Sequence, residues 1–168
     1  MWYAVQVQTG KEERLKTLIE RIAFEKEQAE CRLIYYEIKK KYKGKWHVEK
    51  KNMFPGYLFV ISDNIEALGK RFCYVTEMTK ILKSGDEYLP LSEREEEFLR
   101  HLSSNADVVR LSYGIEVGDR VIIKRGTLKG YESRIKKIDR HKRKAIIEIE
   151  MFGQMRTAEV GLEITEKK

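Results

Sequence analysis

Residues 54–62 read FPGYLFVIS, a turn that runs directly into a strongly apolar strand. Pro55 and Gly56 supply the turn chemistry, and the aromatic and β-branched residues after them favour a pleated, buried element. Side chains alternate across a strand, so Tyr57, Phe59 and Ile61 share one face, and Leu58 and Val60 the other. Both faces are apolar. Residues 2–8 (WYAVQVQ) supply a neighbour of the same kind. There Trp2, Ala4 and Gln6 share one face, and Tyr3, Val5 and Val7 the other. One amphipathic helix covers only one face of such a sheet. Two outcomes follow: an aromatic face left open for a protein partner, or helices on both faces with every aromatic in the core.

Helices flank these strands. Thr9 followed by Glu12 reads as a capping box. Leu15, Leu18, Ile19, Ile22 and Ala23 then recur at helical spacing through about residue 28. Asn64 with Ser62 and Asp63 is suited to cap a short helix carrying Ile65, Leu68 and Phe72. Ser92 and Glu95 repeat the capping-box pattern ahead of Phe98, Leu99 and Leu102. Residues 31–38 and 46–50 read as a hairpin turning at Lys43-Gly44. Short strands are expected at 79–83 and 88–89.

Residues 103–112 break the periodicity and read as a linker. Beyond it, strands at 120–124, 132–139, 145–151 and 156–160 alternate with turn glycines, which suggests a small β-barrel. The fold class is therefore α+β, an antiparallel sheet with helices followed by an SH3-like β-barrel. The division is 1–104, 105–113 and 114–168.

Charge follows this division. The formal net charge is +7 from 34 Lys+Arg and 27 Asp+Glu. Residues 1–112 hold 20 Lys+Arg and 18 Asp+Glu, whereas 113–168 hold 14 and 9. Between residues 120 and 144 there are 11 basic residues against Glu132 and Asp139. A second basic run is Lys39, Lys40, Lys41, Lys43, Lys45, Lys50 and Lys51. Val121, Ile123, Ile135 and Ile138 are expected to point inward, and Arg120, Lys124, Arg134, Lys136 and Lys137 outward. A basic barrel face is a common nucleic-acid platform, and a solvated Lys-rich surface is the plainer alternative. Tyr131 and Phe152 are the few aromatics there, which favours structured RNA over stacked single strands.

Other classes find no support. His47, His101 and His141 lie far apart, without metal or nucleophile spacing, and no phosphate-loop pattern occurs. Glu95, Glu96 and Glu97 diverge around a helix and suit a solvated face. No catalytic residue, metal or cofactor is expected. Cys31 and Cys73 are unclustered, which suits a reducing compartment. No apolar run reaches membrane-spanning length. The opening Met1-Trp2-Tyr3 lacks the pattern of a signal peptide. A cytoplasmic monomer is expected.

The order of these parts resembles the NusG family of transcription factors: WYAVQVQTGKEERL, a hairpin, MFPGYLFV, PLSEREEEFL, a linker and GDRVIIKRGTLKGYE. The resemblance implies an N-terminal NGN domain that docks on the clamp helices of RNA polymerase, and a C-terminal KOW domain. It carries RNA polymerase contacts onto Trp2, Gln6, Phe54, Tyr57 and Phe59. It carries contacts near non-template DNA and the gate loop onto Lys11, Arg14, Arg71, Tyr74, Thr76 and Thr79.

In the barrel, Gly118, Asp119, Val121, Ile123, Gly126 and Gly130 match the family pattern, while Thr127-Leu128 replaces Pro-Phe. Phe152-Gly153 is retained and marks a KOW partner contact. The basic residues point to nascent RNA through Lys124, Arg125, Lys129, Arg134, Lys136, Lys137, Arg140, Lys142, Arg143 and Lys144. The chain is thus similar to a specialised paralog of the LoaP group, a processive antiterminator. The alternative is a housekeeping member whose KOW domain binds Rho or a ribosomal protein.

Overall fold

The computed structural model describes residues 1–24, 29–74, 80–104 and 106–168. In chain order the elements begin with β1 (Trp2–Gln6), α1 (Glu12–Phe24), β2 (Ala29–Arg32), β3 (Tyr35–Tyr42), β4 (Lys45–Asn52) and β5 (Tyr57–Ser62). Next come α2 (Ile65–Phe72), β6 (Lys80–Ile81), β7 (Lys83–Ser84), β8 (Glu87–Tyr88), α3 (Glu93–Ser103) and β9 (Val108–Val109). The chain ends with β10 (Ser112–Val117), β11 (Arg120–Arg125), a 3-10 turn (Glu132–Arg134), β12 (Ile135–Asp139), β13 (Lys144–Met151) and β14 (Gln154–Lys167). They form two compact units: Met1–Leu33 with Phe54–Glu96, and Ile34–Met53 with Glu97–Lys168.

The first unit holds an antiparallel sheet of order β2-β5-β1-β6. Its central pairing sets Trp2 opposite Ile61, Ala4 opposite Phe59 and Gln6 opposite Tyr57. The apolar strand of residues 57–62 lies between β2 and β1. Helix α1 packs on β2, β5 and α2. Asn64 caps α2 by accepting the Ala67 N–H at 3.2 Å, and Ile65, Leu68 and Phe72 form its buried face. The start of α3 has its capping box: Glu95 accepts the Ser92 N–H at 2.7 Å and Ser92 Oγ accepts the Glu95 N–H at 3.3 Å.

The capping box expected at Thr9 is not formed. Glu12 is buried, and its carboxylate accepts the N–H of Gly10 and of Gly56, each at 2.8 Å. It ties the start of α1 to the turn of residues 54–56, so a tertiary bond replaces the local one. The last part of the expected helix, residues 25–28, and Thr79 of the expected strand lie outside the described residues.

The second unit carries a five-stranded sheet of order β11-β10-β14-β13-β12, the SH3-like barrel. The alternation in β13 is strict: Ala145, Ile147, Ile149 and Met151 are buried and residues between them are not. β12 begins later than the sequence suggests, because residues 132–134 form a 3-10 turn. A bulge shifts the β12–β13 register between Ile135 and Lys137. It lets Ile135 and Ile138, three apart, both be half-buried despite a period of two.

The same unit contains the β3–β4 hairpin. Lys43 and Gly44 take φ values of 51° and 74°, the left-handed pair that a two-residue hairpin turn requires. The segment read as a linker contributes β9, which pairs in parallel with Tyr35 and Tyr36 of β3. Gly161 is buried without a side chain because the Glu37 carbonyl oxygen and Leu111 Cδ1 occupy the place of a Cβ. Tyr36 donates its hydroxyl to Glu159 at 2.9 Å, and Glu37 accepts the Leu111 N–H at 3.0 Å.

Candidate functional site

The barrel cations divide by what they touch. Arg140 grips Glu116 through two nitrogens. Lys136 pairs with Glu148 at 2.9 Å and Arg143 with Glu163 at 3.4 Å. Lys144 pairs with Glu159. Arg125 lies 4.2 Å over the Tyr113 ring and Arg134 lies 4.3 Å over Phe98. By contrast, Lys124, Lys129, Lys137 and Lys142 are exposed, and none makes an ion pair among the described residues. Six of the ten in the sequence-derived set therefore have no acidic partner among the described residues, because the rings against Arg125 and Arg134 do not neutralise their charge. The pairs are partly neutralised, and surface pairs of this kind are worth about 0–1 kcal/mol.

The structure adds residues that the sequence set left out. Strand register faces Lys39 with Val48, Lys40 with His47, Lys41 with Trp46, and Tyr42 with Lys45. Lys39 pairs with Glu163 at 2.8 Å and Lys40 with Glu49 at 2.8 Å. Lys41, Lys43, Lys45, Lys50 and Lys51 have no such partner among the described residues. The basic run itself is plain in the sequence. That it belongs to the same unit as the barrel follows only from tertiary pairing.

Glu159 and Tyr36 of this unit shift each other's proton affinity. The hydrogen bond from Lys144 holds the Glu159 carboxyl below the usual carboxylate range, helped by that from Tyr36. Burial pushes the Tyr36 phenol up, and its bond to Glu159 adds to the effect.

In the first unit, the sheet face carrying Trp2 and Phe59 is less open than one of the two sequence outcomes required. Both are fully buried, as is Ala4. Their rings lie 5.9 Å apart, and Phe54 meets Phe59 edge-on at 5.5 Å. Trp2 and Phe59 shape the face from beneath, while Phe54 and Tyr57 are half-buried and Gln6 is exposed. Lys11 and Arg14 lie at the start of α1, and Arg71 at the end of α2. Tyr74, just beyond α2, is 87% exposed. Thr76 and Thr79 lie outside the described residues.

Phe152 occupies the β13–β14 turn with φ of 57°, half-buried, with Arg156 at 5.8 Å from its ring. Leu128, standing where the family pattern has Phe, is fully buried, and its N–H donates to Ser112 Oγ at 3.1 Å. Among the described residues no three His, Cys, Asp or Glu side chains gather as a metal site. No described helix is long and apolar enough to cross a membrane.

The chain thus holds a helix-flanked antiparallel sheet and an SH3-like barrel with a cationic surface. The family model described as "Transcription termination factor nusG" matches residues 1–100. The chain belongs to the NusG family of transcription termination/antitermination factors. It is 22% identical over 171 residues to the "Transcription termination/antitermination protein NusG" of Helicobacter pylori strain J99, covering 99% of this chain and 97% of that one. It is 28% identical over 185 residues to the protein of the same name from Synechocystis, covering 98% and 87%. The fold is shared with the solved structure titled "Domain interaction in Thermotoga maritima NusG", at TM-score 0.56 and 22% identity, over 97% of this chain and 93% of that one.

Proposed function

We propose that this chain is a processive antiterminator. Residues 1–104 act as an NGN domain on the clamp helices of RNA polymerase, residues 105–113 link, and residues 114–168 act as a KOW domain on structured nascent RNA. The observation that carries the reading is the excess of nine positive charges between residues 120 and 144. Six of those cations, Arg120, Lys124, Arg125, Lys129, Lys137 and Lys142, are exposed without an ion-pair partner among the described residues. Nucleic-acid phosphates are the partner that such a surface attracts most strongly.

On the polymerase side, Gln6, Phe54 and Tyr57 make the contact, with Trp2 and Phe59 setting its shape. Lys11, Arg14, Arg71, Tyr74, Thr76 and Thr79 serve the DNA side, near the non-template strand and the gate loop. The factor works as a cytoplasmic monomer.

Transcription in vitro across an intrinsic terminator placed after a structured leader tests the reading. The chain is expected to raise read-through several-fold, and K124E/K129E/K137E/K142E to lose most of that gain. Read-through unchanged by the chain would overturn the antitermination reading.

A second reading has its own support. Phe152 is partly accessible at a turn whose Phe-Gly pair the family retains. A housekeeping factor would use that turn on Rho or a ribosomal protein. Recovery of either protein by the full chain, and its loss in Phe152→Ala, would favour this second reading.

A further inference from the structure

We infer that the β3–β4 hairpin is part of the nucleic-acid site, and that RNA phosphates lie in the groove between this hairpin and the turn joining β12 to β13. The inference rests on the RNA reading above and deepens it, because it moves half of the contact surface onto residues 39–51.

The groove has a volume of about 370 Å³, and six of its nine lining residues are lysines. From the hairpin come Lys39, Lys40, Lys41 and Lys51, and from the turn Lys142 and Lys144, with His141 beside them. The lining contains no Asp or Glu. Three of the lysines are balanced by Glu163, Glu49 and Glu159. Lys41, Lys51 and Lys142 have no ion-pair partner among the described residues, and Lys43 and Lys45 extend the same charge along the hairpin tip. Like charges brought together without counterions repel, and the arrangement becomes favourable when a polyanion replaces the ions lost from solution.

Charge alone would suit any polyanion. The aromatic side chains narrow the choice. Trp46 lines the groove and is 44% exposed, although it is a large apolar residue. Arg143 lies 3.4 Å from its ring centroid and Lys41 5.8 Å. Tyr42 is 45% exposed and stacks on His47 with ring centroids 3.7 Å apart and planes 11° apart. A flat ring flanked by cations beside lysines that no acid balances offers stacking to a base and charge to its phosphates. Every nucleotide carries both a phosphate and a flat base, whereas the carboxylates of an acidic peptide supply the charge without a stacking base.

The test is fluorescence anisotropy with the full chain across a series of KCl concentrations. The probes are an RNA stem-loop of about 20 base pairs with an unpaired loop, and a DNA duplex of the same stem sequence. K41Q/K45Q/K51Q/K142Q is expected to weaken RNA binding at least tenfold and to reduce the salt slope by roughly two to three, since each phosphate contact contributes close to one. Trp46→Ala is expected to weaken loop-containing RNA about fivefold or more. R21Q/K70Q/R94Q removes exposed charge from the first unit and should leave binding unchanged. Circular dichroism melts confirm that each variant is folded.

RNA binding that is unchanged by the hairpin substitutions but lost in K124E/K129E/K137E would overturn this inference and leave the RNA reading standing. Absence of RNA binding by the unaltered chain would overturn both. Tighter binding of the DNA duplex than of the RNA would overturn the assignment of RNA as occupant.

Discussion

The two compact units have similar amounts of packed core but opposite electrostatic characters. The first, residues 1–33 and 54–96, holds 11 Lys+Arg and 14 Asp+Glu. The second, residues 34–53 and 97–168, holds 23 and 13. A cut of the linear sequence at residue 112 gives two net-positive pieces. The structural grouping gives one slightly acidic unit and one carrying an excess of ten positive charges. The difference arises almost wholly from the hairpin of β3 and β4, whose lysines count with the barrel once the fold is known. A protein divided this way is suited to meet a protein surface with one unit and a polyanion with the other.

The comparison is broken most severely by detaching the hairpin from the barrel unit. A Cβ at Gly161 would drive into the backbone carbonyl oxygen of Glu37, which cannot swing aside. Gly161→Ala is expected to destabilise the second unit by about 3 kcal/mol. Gly69 in the first unit is the matched control. A Cβ there meets the side chain of Tyr88, which can rotate, and alanine favours a helix interior, so Gly69→Ala should cost about 1 kcal/mol or less. Hydrogen exchange resolved by segment would show protection lost in residues 35–52 for the first variant and kept for the second. Equal losses in the two would remove the claimed role of the hairpin seam.

A smaller effect acts on the hairpin through pH. Glu159 titrates below its ordinary range, so its stabilisation is complete above about pH 4.3 and is lost as the pH falls further. Tyr36 titrates above its ordinary range, so its stabilisation is complete below about pH 10 and is lost as the pH climbs past that. Exchange protection of the hairpin should therefore fall at both extremes. Tyr36→Phe should cost about 1–2 kcal/mol at neutral pH and abolish the alkaline loss. An alkaline loss that persists in the Phe variant would show that Tyr36 is not its source.

The smallest predicted change lies at the start of α3. Ser92→Ala removes an N-cap and should cost about 1 kcal/mol, measured as a shift in urea midpoint. No change would mean that Glu95, still bonded to the Ser92 N–H, suffices as a cap.

Most of the fold was legible because local chemistry and tertiary demand agree. FPGYLFVIS reads as a turn and an apolar strand, and residues 57–62 form one. Ser92-Glu95 caps a helix, and residues 145–151 alternate as their burial does. Local reading fails where a distant partner takes over a residue. Glu12 leaves Thr9 to bind the Gly56 N–H, 44 residues away. Residues 108–109, within the segment expected to link, also pair with β3. The bulge in β12 is invisible to a period of two.

The candidate site was legible in kind but not in extent. The basic segment of residues 120–144 is plain. Which of its cations are held by Glu116, Glu148, Glu159 and Glu163 depends on strand register. The hairpin lysines were also in view, but nothing in residues 39–51 reports that they lie across a groove from residues 141–144.

The central claim is that the cationic unit, hairpin included, is where nascent RNA lies. Photo-cross-linking in a reconstituted elongation complex, with 4-thiouridine placed in the structured leader and cross-linked peptides identified by mass spectrometry, tests it most directly. The account predicts cross-linked peptides from residues 39–51 and 120–144, with Trp46 among the sites. Cross-links confined to residues 1–33 and 54–96 would contradict it.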